Sequence, residues 1–391
     1  MKLRRGILLA GWLVTFIFGS RFVGLAQARN ADFTGVRDVL KRGIEGRAYP
    51  GCTVVVGTDH HVLWSEALGR FDYANGARVL PTTIYDLASL TKVVGTTAVY
   101  MRLVALDKVR VSDAVDAYLP EFVEAAANDE EKARRRKITV AHLLTHSAGL
   151  PAWKPLYKSV DSYGALLRAV YATPLEAEPG DNFRYSDLGM ILAGEIASRI
   201  GGKSLAALER ELVFVPLRMR DTMRNPTTKL LARIPPTEEL PDTGKCVHGV
   251  VHDENARAGE GITGHAGLFS TSADLGKLAA ELLRALEGNS ALFPQAVVQD
   301  FFTECKLPDG SHRTLGWGLA RNADASHGPT LSHTGFTGTS IWIDPQRKLY
   351  AVLLANRVHP TRDNNKINRV RGELIEAVIA AVEEETEAKA E

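Results

Sequence analysis

The sequence predicts an α/β (α+β) fold: a mainly antiparallel sheet built from both chain ends, flanked by helices, with a mostly helical region inserted between its strands. Three observations carry this. Runs of β-branched and aromatic residues sit near both termini. The stretch between them, from Ser89 to about Asn289, shows mostly helical spacing with loops rich in Gly and Pro. Helical segments stand at both ends of the chain and can cover the faces of the sheet.

In chain order, "MKLRR" is basic, "GILLAGWLVTFIFGS" is apolar and "AQA" is a small-x-small cleavage pattern. The apolar run is short for a membrane span and Arg21 follows it. Residues 1–28 therefore read as a signal peptide cut after Ala28, which sends the chain to the periplasm or outside the cell. The mature chain, 29–391, reads as one domain with its sheet from about 32–87 and 310–391 and its helical region from about 88–309. "FTGVRDVLKRGIEGRAYPG" is an amphipathic helix stopped at a Pro-Gly turn. "CTVVVG" and "HVLWSEALG", separated by "TDH", predict a hairpin. In "YDLASLTKVVGTTAVYM", Val94, Ala98, Met101 and Ala105 fall at helical spacing, so a buried helix follows Ser89. Strands return in "TLSHTGFTG", "TSIWID" and "LYAVLLANRV", the last two joined by a "PQRK" turn, and a final helix starts near Asn365. No internal repeat is present.

Composition excludes several classes. Apolar residues make up 45% and charged residues 24%, as in globular domains. Loss of residues 1–28 removes four positive charges and no negative one, taking the net charge from +1 to −3. Such a chain has no basic footprint for nucleic acid, and no membrane span is expected after signal cleavage. The run "NDEEKARRRK" changes sign midway and reads as a solvated loop. Cys52, Cys246 and Cys305 are too few and scattered for a disulfide framework or a zinc cluster, and are expected as buried thiols, with one disulfide left open.

Ser89 and Lys92 form an S-x-x-K pair at a helix start, where three residues' separation puts both on one side. A serine hydroxyl is a weak nucleophile until a neighbour takes its proton, and a lysine one turn on can do so if it is neutral. Tyr185-Ser186-Asp187 lies between a Pro-Gly loop and a helix, and His333-Thr334-Gly335 lies on a late strand whose glycines let a ligand approach the backbone. These three signals, in this order, resemble those of serine β-lactamases and penicillin-binding proteins. "LDKVRVSDAVDAYLPEF", "ITVAHLLTHSAGLP", "VPLRMRDTM" and "GHAGLFSTSADL" resemble the class C β-lactamase-like branch, which includes esterases and D,D-peptidases. "VHDENARAGEGITGHAGLFST" and "NRVHPTRDN" are similar to cell-wall enzymes of that branch, low-molecular-mass penicillin-binding proteins and muropeptide amidases.

The resemblance implies the β-lactamase/transpeptidase-like fold and a metal-free, cofactor-free serine hydrolase working through an acyl-enzyme at Ser89. Lys92 would accept or shuttle the proton, and Tyr185 would relay one to the leaving group. The backbone amides of Ser89 and Phe336 would form the oxyanion hole. His333, where relatives often carry lysine, would bind substrate or tune Tyr185, with Thr334 and Gly335 supporting. Asp187 replaces the usual asparagine, and a carboxylate beside Lys92 favours the ammonium, which makes Tyr185 the better candidate base. His265 and Arg357 are candidates for substrate binding, Arg357 for a carboxylate. His142 and His146, spaced i, i+4, have no glutamate after His142 and read as structural, while His252, Asp253, Glu254 and His265 read as a polar loop on the cleft rim.

The expected substrate is cell-wall peptide or amide bonds, of D,D-carboxypeptidase or muropeptide amidase type, with β-lactams as further ligands. β-Lactamase or carboxylesterase activity is the enzymatic alternative. A penicillin-acylated receptor that turns over negligibly is the alternative of another class.

Overall fold

The computed structural model describes residues 31–320 and 328–388, so the expected signal peptide lies outside the described residues. An eight-stranded sheet runs in the order β2-β1-β11-β10-β9-β8-β7-β6. Its strands are β1 (Gly51–Thr58), β2 (Val62–Gly69), β6 (Cys305–Lys306), β7 (His312–Arg313), β8 (Gly318–Ala320), β9 (Thr330–Thr334), β10 (Ser340–Asp344) and β11 (Leu349–Ala355). Every neighbouring pair is antiparallel. The two chain ends meet where β1 pairs with β11, from Cys52 opposite Ala355 to Thr58 opposite Leu349.

The valine run of β1 shows why the sheet needs cover on both faces. Side chains alternate across a strand: Val54 and Val56 enter a core shared with Val36, Leu40, Trp342 and Val378, whereas Val55 enters the core on the other face. Helices Thr34–Glu45 and Ile367–Ala388 cover the first face, and helix Ser272–Leu286 packs on β1 and β11 from the second. Burial on both faces explains why β1 and β11 read as continuous apolar runs, while the edge strand β2 is half exposed.

Besides the run "NDEEKARRRK", expected as a solvated loop but helical over Asp129–Arg135 with Glu131 and Arg135 buried, two features depart from the sequence reading. The segment after Ser89 is not one regular helix. It passes from a 3-10 turn (Ala88–Leu90) through a π-helical stretch (Lys92–Thr97) into an α-helix (Ala98–Ala105). The second departure is extra strand structure. Strands β6 to β8 extend the sheet, and β3 (Tyr85–Asp86), β5 (Leu268–Ser270) and β4 (Met223–Arg224) form a small second sheet within the mostly helical region. Elements of two or three residues are too short to show an alternation, so no period announces them. Among the cysteines, only Cys52 is buried; Cys246 is exposed, Cys305 is half-buried, and all three are free thiols.

Candidate active site

The backbone around Ser89 is held in an unusual shape. Ala88 has φ of 47°, a left-handed conformation that costs a non-glycine residue roughly 1 kcal/mol or more. The buried Asp86 carboxylate holds this turn: Oδ1 accepts from the Ala88 amide at 2.8 Å and Oδ2 from the His252 amide at 2.7 Å. Just beyond it, Lys92 is completely buried at the start of the π-helical stretch. Its Nζ donates to Ser89 Oγ at 3.0 Å and to the His265 carbonyl at 3.0 Å, and lies 2.7 Å from Asp187 Oδ1.

Helix Asp187–Gly201 brings the tyrosine triplet to this lysine. Ser186 caps it, accepting from the Gly189 amide and donating to the Pro151 carbonyl at 2.7 Å, while its own amide donates to His146 Nδ1 at 3.0 Å. Asp187 then occupies the first helical position, where the helix dipole favours a negative charge. The Tyr185 ring lies 4.8 Å from Lys92 Nζ and 4.6 Å from the His146 ring. Burial alone would push the Lys92 ammonium down. The Asp187 carboxylate and, after it, the nearby Tyr185 outweigh it and hold the lysine above its ordinary range.

Strand β9 supplies the opposite wall. The turn after it is tied to the segment before Ser89, because Thr337 Oγ1 donates to the Asp86 carbonyl at 2.7 Å and Thr339 Oγ1 to the Leu87 carbonyl at 2.9 Å. Only glycine fits at 335: a Cβ there would come within 2.4 Å of the Leu87 carbonyl oxygen and 2.1 Å of Thr339 Oγ1. Phe336, 47% exposed, is therefore fixed beside the nucleophile turn, its ring stacked on His252 and under the Arg357 guanidinium. Thr334 and His333 line a small pocket together with Tyr185.

Several expectations are corrected by this geometry. His333 is buried, its Nδ1 faces the Thr334 carbonyl at 3.1 Å, and burial together with the Lys92 and Arg313 charges lowers its pKa to about 3. It is a neutral imidazole at physiological pH and cannot replace a lysine's charge. Arg357 is not free for a substrate carboxylate: Nε donates to the Phe336 carbonyl at 2.7 Å, and Nη1 donates to the Arg362 and Asn364 carbonyls at 2.8 and 2.6 Å. It braces the loop that carries Phe336. His265 presents its carbonyl to Lys92 rather than its ring to substrate, since the ring is buried with Nε2 on Asp253 Oδ1 at 2.9 Å.

The four polar residues expected on the rim do not act as one group. His252 pairs with Glu238 and Glu254 with Arg362. Asp253 and His265 instead approach Asp187, with ligand atoms within 4.8 Å of one another. Burial would raise the Asp253 carboxyl, but His265 outweighs it and holds it well below the carboxylate range. The ammonium of Lys92 already occupies this cluster through Asp187, which disfavours a cation there. His142 and His146 diverge: His142 Nδ1 accepts from the Thr139 amide at a helix cap, and His146 Nδ1 from the Ser186 amide. Sequence reasoning missed the Asp253–His265 pair and Arg313, which reaches the site from β7 with no spacing signal to Tyr185.

The Beta-lactamase family profile matches residues 36–375, most of the chain. The chain belongs to the beta-lactamase family. A protein of Salmonella agona (strain SL483) named "Putative D-alanyl-D-alanine carboxypeptidase" is 32% identical over 359 residues, covering 82% of each chain. The beta-lactamase family fold is also that of EstCE1, titled a hydrolase with promiscuous acyltransferase activity, with a TM-score of 0.72, 22% identity and coverage of 88% of this chain and 97% of the other. A class C beta-lactamase from Rhodobacter sphaeroides matches with a TM-score of 0.68 and 19% identity over 89% of this chain and 99% of its own. At those identities the likeness is one of fold. As a beta-lactamase family member, the chain is a serine hydrolase. No described helix is long and apolar enough to cross a membrane.

Proposed function

We propose that this chain is an exported acyl-enzyme hydrolase that cleaves terminal D-alanyl peptide bonds of cell-wall peptides, with Ser89 as nucleophile. The observation that carries the reading is the 3.0 Å contact between Lys92 Nζ and Ser89 Oγ, with the same lysine ion-paired to Asp187. A lysine held as the ammonium cannot take the serine proton. It orients Ser89 and supplies positive charge, so proton removal falls to the phenolate form of Tyr185, whose ring centroid lies 4.8 Å from Lys92 Nζ. Ser89 Oγ then bonds to the substrate carbonyl carbon, and the oxyanion is received by the amides of Ser89 and Phe336. Tyr185 returns its proton to the leaving nitrogen as the acyl–nitrogen bond breaks, and water reverses the steps on the ester. The name carried by the Salmonella relative and the apolar, small-x-small start of the chain support the substrate class and export.

The test is release of D-alanine from a diacetyl-lysyl-D-alanyl-D-alanine peptide, read by product mass, with a fluorescent penicillin to label the nucleophile. The Ser89→Ala variant should lose at least about a thousandfold in turnover, as acyl-enzyme nucleophiles do, and should take no label. Labelling retained in that variant places the nucleophile elsewhere. Hydrolysis of simple esters without D-alanine release makes the chain an esterase instead.

A further inference from the structure

The two most exposed large apolar side chains among the described residues are Val62, 61% exposed, and Val215, 57%. Val215 follows a π-helical turn (Arg210–Phe214), and Pro216 after it has no amide with which to continue a helix. The chain then reverses at Arg218, whose φ is 54°. That left-handed conformation suits glycine and strains a residue that carries a side chain. Lys277, on the helix Ser272–Leu286, pins the turn by donating from Nζ to the Arg218 carbonyl at 2.7 Å. The Arg218 side chain itself is left exposed. A strained residue that presents an unpaired cation points to a use for that cation.

The surroundings have the matching character. Arg210, Arg218 and Arg220, all exposed, line a pocket of about 560 Å³ together with Val215 and the less exposed Phe214, Met219 and Met223. No acid lines it. The acids nearest in sequence, Glu211 and Asp221, pair with Lys203 and Arg233, and among the described residues no carboxylate pairs with any of the three arginines. A second pocket, of about 440 Å³, shares Arg218 and is bordered by Val62, Lys277 and Arg284. Its one acid, Glu281, pairs with Arg284. The two exposed valines therefore stand on one continuous face among five basic side chains, on a chain that is net negative once residues 1–28 are removed. The phenyl and phenol rings in the two linings, Phe214 and Tyr350, are buried, so the face lacks the exposed aromatic anchors on which protein interfaces centre.

We propose that this face docks the protein on an anionic lipid surface, with Arg210, Arg218 and Arg220 on headgroup phosphates and Val62 and Val215 reaching below them. Planar guanidinium forks suit phosphate oxygens, and apolar side chains among basic ones are what a surface anionic at its headgroups and apolar beneath can satisfy. The chain lies on such a surface and does not span it, since no described helix is long and apolar enough to cross one. β1 and β2 stand three and four places from β9 in the sheet, so docking at their side leaves the wall that faces Ser89 open to substrate. The inference goes beyond the reading of Ser89 and holds whatever bond is cleaved there.

The experiment co-sediments the mature protein with vesicles of phosphatidylcholine alone or with about three parts in ten of phosphatidylglycerol. The wild type should partition about tenfold or more tightly onto the anionic vesicles. Arg210→Gln, Arg218→Gln and Arg220→Gln should each weaken that partitioning about fivefold, equivalent to about 1 kcal/mol, and the triple variant should abolish the preference. Arg218→Gly removes the backbone strain along with the charge, so a loss in that variant does not come from unfolding. Val62→Ser/Val215→Ser should weaken partitioning at unchanged charge, and no loss there overturns the insertion of the valines. A control, Arg136→Gln/Arg168→Gln/Arg369→Gln, removes as much charge from exposed positions outside the face and should keep the preference. Turnover of a soluble chromogenic ester should stay at the wild-type level throughout. Equal partitioning of the wild type onto both vesicles overturns the proposal, as does an undiminished preference in the triple variant or an equal loss in the control. Release from the vesicles by millimolar glycerol phosphate would make this a site for a free phosphate and overturn the membrane assignment.

Discussion

Replacing Asp187 by asparagine separates the two candidate bases, because each predicts a shift in a different limb of the pH profile. The carboxylate stands 2.7 Å from Lys92 Nζ. At an effective dielectric constant of ~20, that separation is worth about 6 kcal/mol of attraction before desolvation is subtracted. Burial of Lys92 opposes it, so the net is smaller; opposite charges this close typically move a pKa by about 1–3 units. We expect Asp187→Asn to lower the Lys92 pKa by about 2 units. If the ammonium is the working form and Tyr185 the base, the alkaline limb of the kcat/KM profile moves to lower pH by that amount and the acidic limb stays. If neutral Lys92 is the base, the acidic limb moves down instead and activity at neutral pH rises. Stability follows the same linkage. Lys92 titrates higher folded than unfolded, so the pair contributes fully below about pH 10 and its contribution is lost as pH rises through the folded value. Breaking a buried pair from one side costs about 3–5 kcal/mol, so the variant should also unfold at lower urea concentration. The wild-type limb set by Lys92 lies above pH 10.5, so profiles on a chromogenic ester between pH 5 and 10.5 should show an alkaline decline entering that range only in Asp187→Asn. An acidic limb shifted downward, with the alkaline limb fixed, would refute the assignment of Tyr185.

Two further outcomes test the walls of the site. His333 titrates at about 3 when folded, below its unfolded value, so the unfolded chain binds the extra proton in between and stability falls as pH drops from about 6.5 toward 3. That histidine should add about 1.4 kcal/mol per pH unit to the slope of unfolding free energy, and His333→Gln should remove that increment in urea titrations between pH 6 and 4.5; an unchanged slope would mean the imidazole is not held neutral. Gly335→Ala forces a Cβ to within 2.4 Å of the Leu87 carbonyl oxygen. It should displace the turn carrying Phe336 and lower kcat by about tenfold or more, at a stability cost of about 1–3 kcal/mol. Wild-type kcat in a folded Gly335→Ala protein would show that the turn does not position the oxyanion hole.

The sequence by itself determined the parts whose signal is local. Ser89 and Lys92 are three residues apart, so any helical turn brings them together, and the 3.0 Å contact follows from that spacing. The valine run of β1, the Ser186 cap before Asp187 and the glycine after Thr334 likewise announce a buried strand, a helix start and a close backbone approach. Tertiary structure alone decided which distant groups face one another. A period shows which side of an element is apolar, but not what lies across from it. Thus His333 was expected to bind substrate or tune Tyr185, and only burial beside Lys92 and Arg313 makes it neutral. Arg357 looked available until the carbonyls of Phe336, Arg362 and Asn364 surrounded it. Arg313 showed nothing in a two-residue strand, yet it is brought to Tyr185 across the sheet edge. Charge state and availability depend on burial and on neighbours far along the chain, and those exist only once the sheet has closed.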